Sequence, residues 1–487
     1  MSSPSKKAKI SPSPTTRSPV WRRLRDLDGR RSVSHRQGQA SRQLTSYYRC
    51  RKSALNFANL NLEIKQISAK QSDPPPLGKF AHLPTELVHS IFERCSLDSL
   101  STLCVVSRGM CNTVENYYHQ AATMKRWQAQ LKATGLPEAQ MKKKFQQLGK
   151  LVKKMTYLKP SRIRIDVVEK LYRSLGPLSL GSCPLLTAAW ARLFHTVMLG
   201  WAHNECRLAY LSISNYGQTA KLINTFLATQ PGSTGGLESK LRVALLKLFV
   251  DEELLTADPA DRRFWLVQVL QNQPIVFQAK ILYLLFGPTY ENSGRIDWTR
   301  MTMPANIDRR TVESCSRLGS ALNLFVDRQT GIQVPSVVEE LICLPEGWVV
   351  DNVACLLLLA DQRLATQLLA SRVANGRYGE MGDIFNAMIL IAPQLGIAVS
   401  RMIELLRNVL TCLPCRDAPV VYRHISTSHV ETILDLANPD IVALPDLSSE
   451  LRAHQAFVEE LMRLHFQARH TPLLYLARTP ANQQQGQ

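Results

Sequence analysis

The sequence predicts an all-α chain. A short three-helix module is followed by a large irregular, solenoid-like helical domain and preceded by a disordered basic tail. Three observations predict it. From about residue 161 to 475, apolar residues recur at three- and four-residue spacing, and no alternating strand pattern of useful length interrupts them. Residues 80–110, "FAHLPTELVHSIFERCSLDSLSTLCVVSRGM", place three apolar clusters close together behind a Leu-Pro. The segment before them has almost nothing to bury.

Taken in order, residues 1–75 are rich in Ser, Pro, Arg and Gln and read as a disordered tail. Residues 1–55 hold 14 Lys/Arg against Asp26 and Asp28. Lys6, Lys7 and Lys9 form a short basic cluster with the character of a nuclear-import signal. Ser3, Ser11, Ser13 and Ser18 each precede a proline, so phosphorylation there would set negative charge beside arginines. The stretch "SDPPPLGK" is a stiff extended linker.

Residues 76–120 form the three-helix module. Pro84 suits the first turn of a helix, where a missing N–H costs nothing. Leu87, Ile91, Phe92 and Cys95 are then expected on one apolar stripe. Asp98 or Ser99 is expected to cap a second helix carrying Leu100, Leu103 and Cys104. A third segment carries Met110 and Val114. Helices this short bury too little to stand alone, so they must dock on the body or be covered by a partner.

Here the sequence resembles the F-box family. "LPTELVHSIF" followed by "LDSLSTLCVVSRGM" is similar to the motif that binds a Skp-type adaptor, which in that family links its bearer to a cullin scaffold and ubiquitin transfer. The resemblance makes Leu83 and Pro84 the opening of the motif and Glu86, Leu87, Ile91 and Phe92 its first helix. Leu100, Leu103 and Val106 match the second and third. Met110 stands where the family usually has Trp, and Cys95 where leucine is common. The helical body, in stretches such as "GWAHNECRLAYLSI" and "LPEGWVVDNVACLLLLAD", is similar to a member without leucine-rich or propeller repeats. That likeness implies a substrate receptor of a ubiquitin ligase, with a role in germ cells and meiosis.

Residues 121–160 follow as a basic amphipathic helical linker. Nine Lys/Arg face only Glu138 between residues 125 and 154, and Phe145, Leu148 and Val152 stand at helical spacing. The tail and this segment together carry the whole net charge of +20, so the rest of the chain is near neutral. Residues 161–475 are the all-helical, substrate-recruiting domain, broken at Gly, Pro and Asn, and residues 476–487 are a disordered C-terminal tail.

Chemistry-bearing constellations are scarce. Cys412 and Cys415 have zinc or redox spacing, with His424 and His429 nearby, but no second cysteine pair follows, and two inert thiols are expected. His195 and His203 are flanked by core aromatics and read, with Cys206, as structural. Cys50, between Arg49 and Arg51, sits where no reaction geometry can be held. There is no Gly-rich phosphate loop and no nucleophile elbow. No apolar run reaches ~18 residues, and no secretory signal is read at the N-terminus. The expectation is a non-catalytic adaptor without cofactor or metal, nuclear or cytoplasmic. Its alternative is a helical scaffold that binds chromatin or nucleic acid through the basic segments.

Overall fold

A computed structural model describes residues 78–132, 137–174, 183–216, 218–250, 259–303, 308–326, 330–436 and parts of 452–463. The tail residues Lys6, Lys7, Lys9, Ser3, Ser11, Ser13, Ser18 and Cys50 lie outside these, as does the C-terminal tail. The fold is all-helical. Among the described residues the one β feature is an isolated antiparallel bridge between Thr289 and Ile296. The chain divides into two compact units after Leu364.

In the first unit, α1 (Thr85–Arg94), α2 (Leu97–Leu103) and α3 (Arg108–Tyr118) follow one 3-10 turn. They lead into α4 (Ala121–Lys132) and α5 (Glu138–Thr156). The short helices do not stand alone: α2 docks on α5, where Leu100 and Leu148 are buried and Gln147 donates to Asp98 at 2.6 Å. Next come α6 (Ser161–Ser174) and α7 (Pro184–Met198), the latter opened by Pro184. Helix α5 crosses α7 closely because Gly149 has no side chain: a Cβ there would lie 2.9 Å from the Leu193 carbonyl oxygen. Around that crossing, Trp190 is enclosed by Phe145, Tyr172 and Phe194.

Helices α8 (His203–Tyr216), α9 (Thr219–Ala228) and α10 (Gly235–Leu245) continue the stack, with α10 running into a π turn over Leu246–Val250. Then follow α11 (Pro259–Leu270), α12 (Ile275–Phe286), α13 (Arg309–Val326), α14 (Val334–Leu341) and α15 (Val350–Leu359). Extensive packing joins helices two apart in the chain at three places in this unit, α5 on α7, α12 on α14 and α13 on α15. Such layering produces a stacked array rather than a closed bundle.

Two buried cations hold helix ends in this array. The Lys280 ammonium donates to the carbonyls of Phe226 and Thr229 at the end of α9, and Arg242 donates to those of Leu284 at 2.7 Å and Gly287 at 3.2 Å after α12. Carbonyls orphaned at a helix C-terminus carry partial negative charge, so a cation is the fitting cap. Glu238 is equally enclosed and accepts from the Gly232 amide at 2.8 Å and the Trp298 indole at 2.9 Å.

Helix α16 (Gln362–Ala374) contains the division point, and the second unit continues through α17 (Tyr378–Gln394), α18 (Val399–Cys412) and α19 (Ala418–Leu436). Here α17 packs on α19, tied by Asn386 donating to the Ile425 carbonyl at 3.1 Å and Ser428 donating to Asp383 at 2.8 Å.

Candidate functional site, an apolar face on the three-helix module

Helix α1 starts at Pro84, whose carbonyl accepts from the amides of Leu87 at 3.0 Å and Val88 at 3.2 Å. Helix α2 is capped by Ser96, whose hydroxyl accepts from the Ser99 amide at 3.1 Å. This corrects the expected cap at Asp98 or Ser99, which lie inside the helix. Ser107 caps α3 in the same way, accepting from the Met110 amide at 3.1 Å. Both serines precede their helices in the sequence pattern that favours N-caps.

The single stripe expected on α1 divides in two. Val88 and Phe92, four residues apart, turn inward and are buried, with Phe92 edge-on to Tyr117 at 5.5 Å. Leu87 and Ile91, also four apart but rotated by one residue, turn outward at 53% and 41% exposed. Leu83 continues the outer row and is exposed. Val105 and Val106, in the turn between α2 and α3, are exposed at 63% and 67%. Leu103 and Cys95 are half-buried, and Pro84 and Glu86 are exposed.

Phe92, Leu100 and Met110 are therefore core residues of the module rather than part of its outer surface. Their burial follows from the aromatic cluster of Tyr117, Tyr118 and Trp127, which closes the module from α3 and α4. Sequence reasoning missed that cluster, although "YY" and "KRW" both lie within twenty residues of Met110. It assigned Val106 to the adaptor-binding set but not the adjacent Val105, although both are apolar.

The module is fastened to α4 by polar contacts. Arg126 pairs with Glu93 at 2.8 Å and donates to the Tyr117 hydroxyl, and Gln120 bonds the His89 ring at 2.8 Å. Burial pushes the Cys104 thiol up to about 12 and raises that of Cys111 as well. Neither is a nucleophile at neutral pH. The face can bind by burial of apolar area.

Elsewhere the structure separates the residues that spacing brought together. His195 bonds the Leu248 carbonyl at 2.7 Å and His203 stacks on Phe264. Burial raises the Cys206 thiol to about 11. His424 stacks on Tyr378, whereas His429 faces His454 at 4.4 Å between ring centroids. Cys415 is exposed and Cys412 half-buried. No group of three or more His, Cys, Asp or Glu suited to a metal ion occurs among the described residues. No described helix is long and apolar enough to cross a membrane.

Residues 80–118 match the F-box domain, and residues 216–424 match the family described as FBXO47, ARM repeats. The chain is 28% identical to F-box only protein 47 of Mus musculus over 341 residues, covering 66% of this chain and 74% of that protein. It is 26% identical to F-box only protein 47 of Homo sapiens over 347 residues, covering 68% and 75%. No solved structure matches it. The F-box resemblance carried by Leu83 to Met110 is thus confirmed.

Proposed function

We propose that this chain is the substrate-recognition subunit of a Skp-cullin-F-box ubiquitin ligase. The Skp-type adaptor is seated on Leu83, Leu87, Ile91, Val105 and Val106, and reaches the cullin scaffold in turn. The single observation that carries this reading is the exposure of those five side chains on a module whose Val88, Phe92, Leu100, Met110 and Val114 are buried. Large aliphatic side chains left in water gain about 1.5–3 kcal/mol each when a partner fully covers them. The helical stack that follows presents a protein target. Its contribution is proximity: a target held near a ubiquitin-charged enzyme reacts at raised effective concentration, with no chemistry supplied by the receptor. F-box proteins are generally such non-catalytic adaptors; a germ-cell role and a nuclear or cytoplasmic location complete the proposal.

The test is co-purification of the full chain with a Skp-type adaptor. L87D/I91D places two charges on the outer row and leaves Val88 and Phe92 in place, so adaptor capture is abolished while the thermal transition is kept. A folded double mutant that still captures the adaptor sinks the assignment. The rival reading, a scaffold for nucleic acid, is favoured by the exposed lysines of α5. It predicts an affinity for DNA or RNA that collapses with added salt, whereas capture through an apolar face responds little.

A further inference from the structure

We infer that the outer face of α5 is a second docking site, and that its occupant is an acidic polypeptide segment with apolar side chains at one end. The site lies outside residues 83–106 and goes beyond adaptor binding, though it rests on the receptor reading for the source of that segment.

Helix α5 is fixed on its inner side. Phe145, Leu148, Leu151, Val152 and Met155 are buried, and Gly149 admits the backbone of α7. The opposite side carries Lys143, Lys150, Lys154 and Tyr157 at steps of seven, four and three residues, which align on one stripe of a 3.6-residue helix. At 1.5 Å rise per residue the stripe is about 21 Å long. All four residues are exposed. Among the described residues no ion pair reaches Lys143, Lys150 or Lys154, whereas Lys142 pairs with Glu138 and Lys159 with Glu115. Three unneutralised cations therefore project from one packed helix beside the F-box module.

The end of the stripe is apolar. Tyr157 is 58% exposed, Leu158 68% and Leu199 62%. Leu199 lies near the helix at Lys153, about one turn before Tyr157, its carbonyl accepting from the Lys153 ammonium at 2.6 Å. Burial at that contact lowers the Lys153 pKa. The pattern is cationic along the helix and aliphatic at its end.

Charge complementarity selects the occupant. The chain's own N-terminal tail is strongly basic and is repelled. Phosphate backbones are the other anionic class, but all six basic residues of α5 are lysines, without the planar forks that grip phosphate in two places. Exposed Leu158 and Leu199 offer aliphatic area that a sugar-phosphate backbone does not match. Both halves of the face are matched by carboxylates followed by apolar side chains.

The test uses full-length protein bound to its adaptor and a labelled synthetic peptide of Asp and Glu ending in Leu and Phe, with a labelled DNA duplex as the second arm. Anisotropy is read for the natural chain, for K143E/K150E/K154E and for Y157S/L158S. The peptide binds, and charge reversal weakens it roughly tenfold or more, in line with three lost and reversed surface pairs. Y157S/L158S weakens it by a smaller factor, and adaptor capture is unchanged in both variants. The basic tail is present in every sample, so its non-specific attraction is constant. Peptide affinity unmoved by either variant, or absent in the natural chain, overturns the inference. So does a duplex that binds more tightly than the peptide and is released by charge reversal. Failure of adaptor capture with peptide binding intact would sink the receptor reading alone.

Discussion

Helices α1 and α5 carry apolar stripes of the same periodicity, yet one meets the chain and the other meets water. On α5 the stripe from Phe145 to Met155 is sealed against α7 and α2, and every member is at most 2% exposed. On α1 two adjacent rows compete for one available neighbour. Val88 and Phe92 take it, and Leu87 and Ile91 are left outside. Periodicity reports that a face is apolar. Whether that face is core or interface depends on how many neighbours the rest of the chain can supply.

Substitutions at the two kinds of face should separate stability from binding. The largest effect is expected at Trp190→Ala, which empties a site enclosed by three aromatic rings. Chemical unfolding should show a loss of about 3–5 kcal/mol. A value under about 1 kcal/mol would mean that the α5–α7 seam does not carry the fold. Next, Met110→Ala is expected to cost about 2 kcal/mol or more, because Met110 is buried. Leu87→Ala should stay within about 0.5 kcal/mol. Equal costs at the two positions would break the distinction between inner and outer rows.

A smaller effect, about 1 kcal/mol, is expected for Ser107→Ala, which removes the hydroxyl that accepts from the Met110 amide. Ser107→Asp should restore most of it, since aspartate caps equally well; a failure of that rescue would point to a contact other than the cap.

The last prediction concerns pH. Burial, with the neighbouring His429 ring, lowers the His454 pKa from 6.5 to about 4, and His429 is itself lowered by burial. As pH falls, the unfolded chain takes up these protons first. Stability of the second unit is therefore complete above about pH 6.5 and declines as pH falls toward 4. His454→Phe should flatten that decline, as measured by unfolding at a series of pH values. An unchanged slope would assign the acid sensitivity to other groups.

Much of this was legible from local chemistry. The helical period of residues 161–475 forecast the class of fold, Pro184 marks a helix start, and Leu83 to Met110 signalled the F-box. The basic stripe of α5 was equally plain, because lysines at these spacings cannot be buried without partners. Less legible were the partners of single polar residues. Lys280 and Arg242 reach helix ends more than forty positions away, and Glu238 meets Trp298 sixty positions on. Nothing in their own neighbourhoods marks these as buried caps.

Sequence alone therefore determined the helices, their apolar faces, the concentration of charge in two segments and the order of the modules. All of these follow from interactions within a few residues of the chain. Tertiary structure decided which apolar face stays wet. It turned Phe92 and Met110 into core and Leu87 and Ile91 into surface. It also parted His424 from His429, each taking its own ring partner. The physical reason is that burial is a competition among distant segments for a limited interior, and its outcome is set by packing rather than by period.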